Sequence, residues 1–279
     1  MQNYEHEIPN GSKLYFGKSA SAKRRLEREA SELLQDCGFS EIITPFFSYH
    51  QRSVVKEQKL LRFSDKANAS LALRSDSTVD VVRIITRRLK DEKTKKWFYI
   101  QPVFSYPSIE TYQIGAEILD SKDLKECVNI GAVLLNKLNI NSILQLSNMK
   151  IPHLLCQLLN LDMSVFELGR IELIFAKNLA WLNKLATISS VDDIKALLND
   201  APCELKEPLD ELADLACGLK FDAKIAFAPL YYSKMRYYDK LFFRFLCDNK
   251  VLCGGGEYKI DNRECVGFAV FSDNVIESL

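Results

Sequence analysis

The chain has 279 residues, with 37 Lys+Arg against 37 Asp+Glu and no formal net charge at pH 7. That length can bury a substantial core, as one large domain or as one domain carrying an insertion. The balanced charge creates no field favouring nucleic acid or a membrane surface, and no apolar run approaches the ~18–20 residues of a membrane span.

The N-terminal "MQNYEHEIPNGSK" is polar and carries acids, unlike a signal peptide. Cys37, Cys127, Cys156, Cys203, Cys217, Cys247, Cys253 and Cys265 include no C-x-x-C pair, and no His completes a metal-ligand spacing. Buried thiols in a reducing cytoplasm are therefore expected, with no metal and no cofactor.

Ser19 to Cys37 reads as an amphipathic helix. Ala22, Leu26, Ala30, Leu33, Leu34 and Cys37 make one stripe, and Gly38 is a natural stop. Lys23, Arg24, Arg25 and Arg28 lie mostly off the stripe and read as a solvated face. "GFSEIITPFF" is a strand running into Pro45. "SLALRSDSTVDVVRIITRRLK" is a strand, a polar turn and a helix, with Ser77 and Asp80 spaced as a capping box.

"QPVFSYPSIETYQIGAEIL" is a pair of strands about a short turn, followed by a helix from Asp120 to Leu138 and a short strand, "SILQL". From about Ile151 to Leu219 helical patterns follow one another, and the apolar run "LIFAKNLAWL" reads as core or as a partner surface. Strands return in "AKIAFAPLYY", "KLFFRFLCD", "KVLCGGGEYKI" and "CVGFAVFS". Strands joined by short turns favour an antiparallel sheet. The expected organisation is an α+β core from 1–150 and 221–279, interrupted by a mostly helical insertion at 151–220.

Several polar groups sit on strands or strand ends: Arg74, Asp76 and Thr78; Gln113 and Glu117 on one strand face; Tyr237 and Tyr238; and the "GGGEY" run of Gly254, Gly255, Gly256 and Tyr258. Any one of them alone fits a satisfied polar network or a solvent-facing strand. Converging, they make a pocket of two carboxylates and an amide, suited to a small zwitterion. The triple glycine then forms the pocket floor or allows close approach of a neighbouring strand.

These segments resemble a known family. "RRLEREASELLQDCGFSEIITPFF" resembles motif 1 of the class II aminoacyl-tRNA synthetases, the helix and strand of their dimer interface. "LALRSDSTVDVVRI", "FYIQPVFSYPSIETYQIGAEIL", "MRYYDKLFF", "CGGGEY" and "GFAVFSDNV" resemble, in order, further segments of the histidyl-tRNA synthetases, including motifs 2 and 3. The resemblance runs from about Leu14 to the C-terminus, weakly through the helical insertion. It implies an antiparallel sheet flanked by helices. It also implies that Asp76, Thr78, Gln113, Glu117, Tyr237 and Tyr238 match positions at which that family contacts histidine.

The departures matter as much. The motif 2 arginine falls at Ser105 and the acid after it at Pro107. The arginine before the tyrosine pair falls at Ser233, removing a cation that would pair with a ligand carboxylate or carbonyl. The motif 3 arginine falls at Asn274. Lys234 and Arg236 lie near the Ser233 gap without restoring its role. Adenylate chemistry needs such cations, and loss of even one oxyanion-type donor costs about 10²–10³ in rate. The chain ends soon after motif 3, so no anticodon-binding domain is expected; one would need about another hundred residues.

"LRSDST" and "QIGAEI" resemble most the ATP phosphoribosyltransferase regulatory subunits of histidine biosynthesis. That resemblance implies a cytoplasmic, homodimeric, non-catalytic partner of a short-form catalytic subunit, with a role in feedback by L-histidine. A divergent histidyl-tRNA synthetase, or a paralogue binding another amino acid or tRNA, is the alternative.

Overall fold

A computed structural model describes residues 7–221, 224–233, 235 and 237–279. Helix α1 (Gly17–Asp36) forms because Leu26, Ala30, Leu33 and Leu34 recur at helical spacing, and all four are buried. It stops where Gly38 takes φ +82°, a conformation that costs a glycine nothing. Arg24, Arg25 and Arg28 are exposed as expected. Lys23 is not: it is buried, pairs with Glu27, and sits 4.0 Å above the Tyr112 ring centroid. Its long stem follows apolar surface while its charge finds a partner.

Next come β1 (Ser40–Glu41), β2 (Phe47–Ser48), β3 (Arg62–Ser64), β4 (Ser70–Leu73) and α2 (Thr78–Arg88). The strand expected through "GFSEIITPFF" is thus two short pieces separated by Pro45, which has no N–H for a ladder. The hairpin β5 (Lys96–Ser105) and β6 (Ile109–Leu119) leads to α3 (Leu124–Lys137) and β7 (Ile143–Asn148). Six helices follow: α4 (Lys150–Leu159), α5 (Ser164–Glu167), α6 (Glu172–Phe175), α7 (Ala180–Ala186), α8 (Val191–Leu197) and α9 (Cys203–Cys217). The chain closes with β8 (Lys224–Phe227), β9 (Tyr238–Cys247), β10 (Lys250–Ile260), β11 (Arg263–Phe271) and α10 (Ser272–Ile276).

Eight strands make one sheet in the order β1-β5-β6-β11-β10-β9-β7-β8, and β2-β4-β3 make a small second sheet. The large sheet is antiparallel through its centre, with parallel pairs at its edges, β1 with β5 and β7 with β8. Strand alternation divides its side chains between two faces. Phe98, Ile114, Ala116, Phe243, Val266 and Phe268 turn to the main core, shared with α1, α3 and the helices between β7 and β8. In "LIFAKNLAWL", Ile174 and Leu182 are buried while Leu173 and Phe175 are exposed. The opposite face carries a smaller cluster, in which Val79, Val82 and Ile85 of α2 meet Tyr99, Tyr258 and Cys265.

Candidate functional site

The polar residues of the sheet collect on that second face because of register. Gln101 pairs with Gln113, Tyr99 with Gly115 and Trp97 with Glu117 across the hairpin. Gly115 then faces Ala269 and Glu117 faces Gly267 on β11. Ala269 faces Gly254 and Gly267 faces Gly256 on β10; beyond them lie Arg244 and Phe242 on β9. Two glycines make room. A Cβ on Gly115 would lie 2.1 Å from Tyr99 Cζ, and one on Gly267 would lie 1.9 Å from Glu117 Oε2.

Above this face is a cavity of about 490 Å³. Asp76, Thr78, Gln113, Tyr237 and Tyr238 all line it, so one wall gathers groups from the α2 turn, β6 and β9. Glu117 does not line it but lies beneath, 1% exposed. Tyr258 Oη donates to Glu117 Oε2 at 2.6 Å, and Tyr99 Oη donates to Oε1 at 3.4 Å. Thr78 Oγ1 stands 3.4 Å from Tyr99 Oη. Tyr237 Oη donates to Asp76 Oδ2 at 3.2 Å, while Asp76 Oδ1 accepts the Val79 N–H. Asp76, not Ser77, therefore caps α2. Ser77 Oγ accepts from Gln101 instead, and Asp80 is held by Ser48 and Gln51.

Burial dominates the electrostatics. It lifts the Glu117 carboxyl to about 8 and the Asp76 carboxyl to about 6. It also holds the phenols of Tyr99, Tyr237, Tyr238 and Tyr258 well above their ordinary value, so these hydroxyls remain donors. Among the described residues, neither carboxylate has a cationic partner; hydroxyls and backbone N–H groups are what they touch. Tyr237, Tyr238 and Tyr258 pack together beside them, with centroids 4.6–6.2 Å apart. Buried carboxylates flanked by aromatic rings suit a small cation such as an ammonium or imidazolium.

The remaining expected residues divide. The floor is Gly254 with Ala269 and Phe271. Gly256 and Tyr258 lie on the same face without lining the cavity. Gly255 alternates to the other face, opposite Phe268, so the whole glycine run does not form the floor. Ser233 and Asn274 line the cavity: Ser233 Oγ accepts the Met235 N–H, and Asn274 Nδ2 donates to the Val251 carbonyl. Ser105 pairs with Ile109 near the hairpin turn, away from the cavity. Lys234 and Arg236 lie outside the described residues. Arg74 is fully buried elsewhere, donating to the carbonyls of Thr44, Pro45 and Pro102. No group of three or more His, Cys, Asp or Glu among the described residues could hold a metal ion.

One charged lining residue is absent from the positions expected from the sequence. Arg244 donates from Nη2 to Gln145 Oε1 at 2.6 Å, and its guanidinium carbon lies 3.9 Å from the Tyr231 ring centroid. The only signal in the sequence is a charge between Phe243 and Phe245, a pattern shared by any half-exposed strand.

The histidyl-tRNA synthetase family model matches residues 16–275. A Wolinella succinogenes protein named ATP phosphoribosyltransferase regulatory subunit is 45% identical over 278 residues, covering 99% of this chain and 96% of its own. One of the same name from Helicobacter hepaticus is 38% identical over 278 residues, covering 99% and 98%. A solved Bacillus halodurans structure, described as an ATP phosphoribosyltransferase regulatory subunit/histidyl-tRNA synthetase, superposes with a TM-score of 0.83. It is 19% identical and covers 99% of this chain and 84% of that one. The fold is accordingly the α+β, class II synthetase-like sheet flanked by helices. With full-length relatives at 45% and 38% identity, the chain belongs to the ATP phosphoribosyltransferase regulatory subunit family.

Proposed function

We propose that the chain is the non-catalytic partner of a short-form ATP phosphoribosyltransferase catalytic subunit in histidine biosynthesis, and that its cavity takes L-histidine. The observation that carries the ligand assignment is the Asp76 wall. A carboxylate, an amide and tyrosine hydroxyls face an amino-acid-sized space with no cation beside the carboxylate among the described residues. Asp76, Thr78 and Gln113 receive the ammonium group. Tyr237 and Tyr238 enclose the side chain, with Glu117 behind them as the acceptor at the base of the hydroxyl network.

The absence of adenylation is supported by Ser233 and Asn274, uncharged groups on the cavity wall at the positions where the synthetases carry arginine. We assign residues 1–150 and 221–279 to the synthetase-like core and 151–220 to an insertion, since α4–α9 run between two strands that pair directly, β7 and β8. We also assign the chain to the cytoplasm. Its eight cysteines are unpaired, and no helix among the described residues is long and apolar enough to cross a membrane.

Calorimetric titration with L-histidine, on the chain alone and on its assembly with the catalytic subunit, tests the sensing role. Saturable binding is expected. If histidine weakens the active assembly, that assembly must bind histidine more weakly by the same factor. No binding in either setting rejects sensing, and robust ATP–pyrophosphate exchange with histidine rejects the non-catalytic assignment.

A further inference from the structure

Arg244 is a cation on the cavity wall with no acidic partner among the described residues. Its plane is fixed on two sides, by the Tyr231 ring at 3.9 Å and by the bond from Nη2 to Gln145. Its Nε is buried and has no hydrogen-bond acceptor among the described residues. A guanidinium taken out of water without a counter-charge costs several kcal/mol, roughly, and stacking with one amide bond offsets only part of that. The group is held in place with one edge unanswered.

We infer that Arg244 binds the carboxylate of the zwitterion whose ammonium group meets Asp76. The inference rests on the amino-acid reading above. Three observations support it. First, Arg244 lines the same cavity as Asp76 and Gln113, so the space has an acidic and a basic wall. Second, Arg244 pairs in register with Gly254, where a Cβ would meet nothing closer than Arg244 Cγ and the Phe243 carbonyl, both at 3.5 Å. The arginine stem thus runs beside a bare stretch of floor, where nothing screens it from a ligand. Third, Ser233 lines the same cavity at the position of the missing family cation, and its hydroxyl already accepts the Met235 N–H. Arg244 supplies from strand β9 a positive charge that Ser233 does not.

One guanidinium matches one carboxylate as a planar fork. A phosphate dianion would carry more charge than a single arginine answers and would face the Asp76 carboxylate across the cavity.

The test compares L-histidine with histamine, which lacks the carboxylate, by calorimetry on the full chain and on Arg244→Gln and Arg244→Lys. The wild-type chain is expected to prefer L-histidine by about ten- to a hundredfold, the range of a charge-assisted hydrogen bond. Arg244→Gln should lose that preference while keeping its histamine affinity within about twofold. Arg244→Lys keeps the charge, so it preserves the fold if the glutamine variant does not, and it should retain a reduced preference.

An undiminished preference in either variant overturns the Arg244 assignment and leaves the histidine site standing. A wild-type chain that binds both ligands equally overturns it too. A wild-type chain that binds neither ligand removes the histidine site and the Arg244 role together.

Discussion

At Glu117, the hydroxyls of Tyr258, Thr78 and Tyr99 offset only part of the cost of removing a carboxyl from water, and burial lifts the group to about 8. In the unfolded chain it titrates near the ordinary glutamate value of 4.5. Between those values the folded state keeps a proton that the unfolded state has released, so stability falls as pH rises through that window. Asp76, raised to about 6 from 3.8, adds the same sign over a lower range. Thermal melts of the ligand-free chain should therefore show a declining Tm from pH 5 to 8. Glu117→Gln should flatten the decline, with a gain at pH 8 on the order of 1–3 kcal/mol relative to pH 5. A wild-type Tm that rises across this range contradicts the assignment. The strand alternation placed Gln113 and Glu117 on one face correctly, but alternation gives direction without depth. That Gln113 touches the cavity and Glu117 lies below it depends on Tyr99 and Tyr258, brought by two other strands. Arg244 was illegible for a similar reason, since its meaning comes from Gln145 and Tyr231, both distant in the chain.

Helix α2 begins at the site itself, and Asp76 has two tasks there. Its Oδ1 accepts the Val79 N–H, and its Oδ2 accepts the Tyr237 hydroxyl. An asparagine retains an oxygen for the helix N–H, whereas an alanine does not. Asp76→Asn is expected to keep its unfolding free energy within about 0.5 kcal/mol of wild type, and Asp76→Ala to lose about 1 kcal/mol. Both should lose L-histidine affinity. Urea denaturation combined with calorimetry separates cap from ligand; equal affinity in wild type and Asp76→Asn would show that the charge is not used. The Ser77–Asp80 spacing promised a capping box, and the helix start it marked was correct. The box did not form because Gln51, buried and remote in sequence, takes Asp80, while Gln101 takes Ser77. Local spacing locates an element's end; competition from distant residues decides which side chain closes it.

Over the molecule as a whole, the apolar surface is uneven. Ile43 is 80% exposed, and Phe46, Phe47 and Tyr49 are each more than half exposed, in a segment that includes strand β2 of the small sheet. Phe47 stacks edge-on against Phe63 at 5.7 Å, leaving both rings partly in water. Surfaces of this kind are uncommon on monomers, which supports the homodimer implied by the motif 1 resemblance. Sedimentation should give a dimer at micromolar concentration, and Phe47→Asp should shift it toward monomer; an unchanged dimer would exclude this face. The antiparallel order of the sheet was legible from its short turns, whereas this exposed cluster was not, because "ITPFF" reads equally well as core until its neighbours are known. The hairpin strand β6 joins these scales. Odd-numbered positions 113 to 117 turn to the cavity side, while Ile114, Ala116 and Ile118 serve the main core. A one-residue deletion at Gly115 would exchange that parity: Glu117 would be driven toward the core side and Ala116 toward the cavity side. Substitutions in this strand can be graded, but its reading frame cannot, so its length should vary far less than its composition.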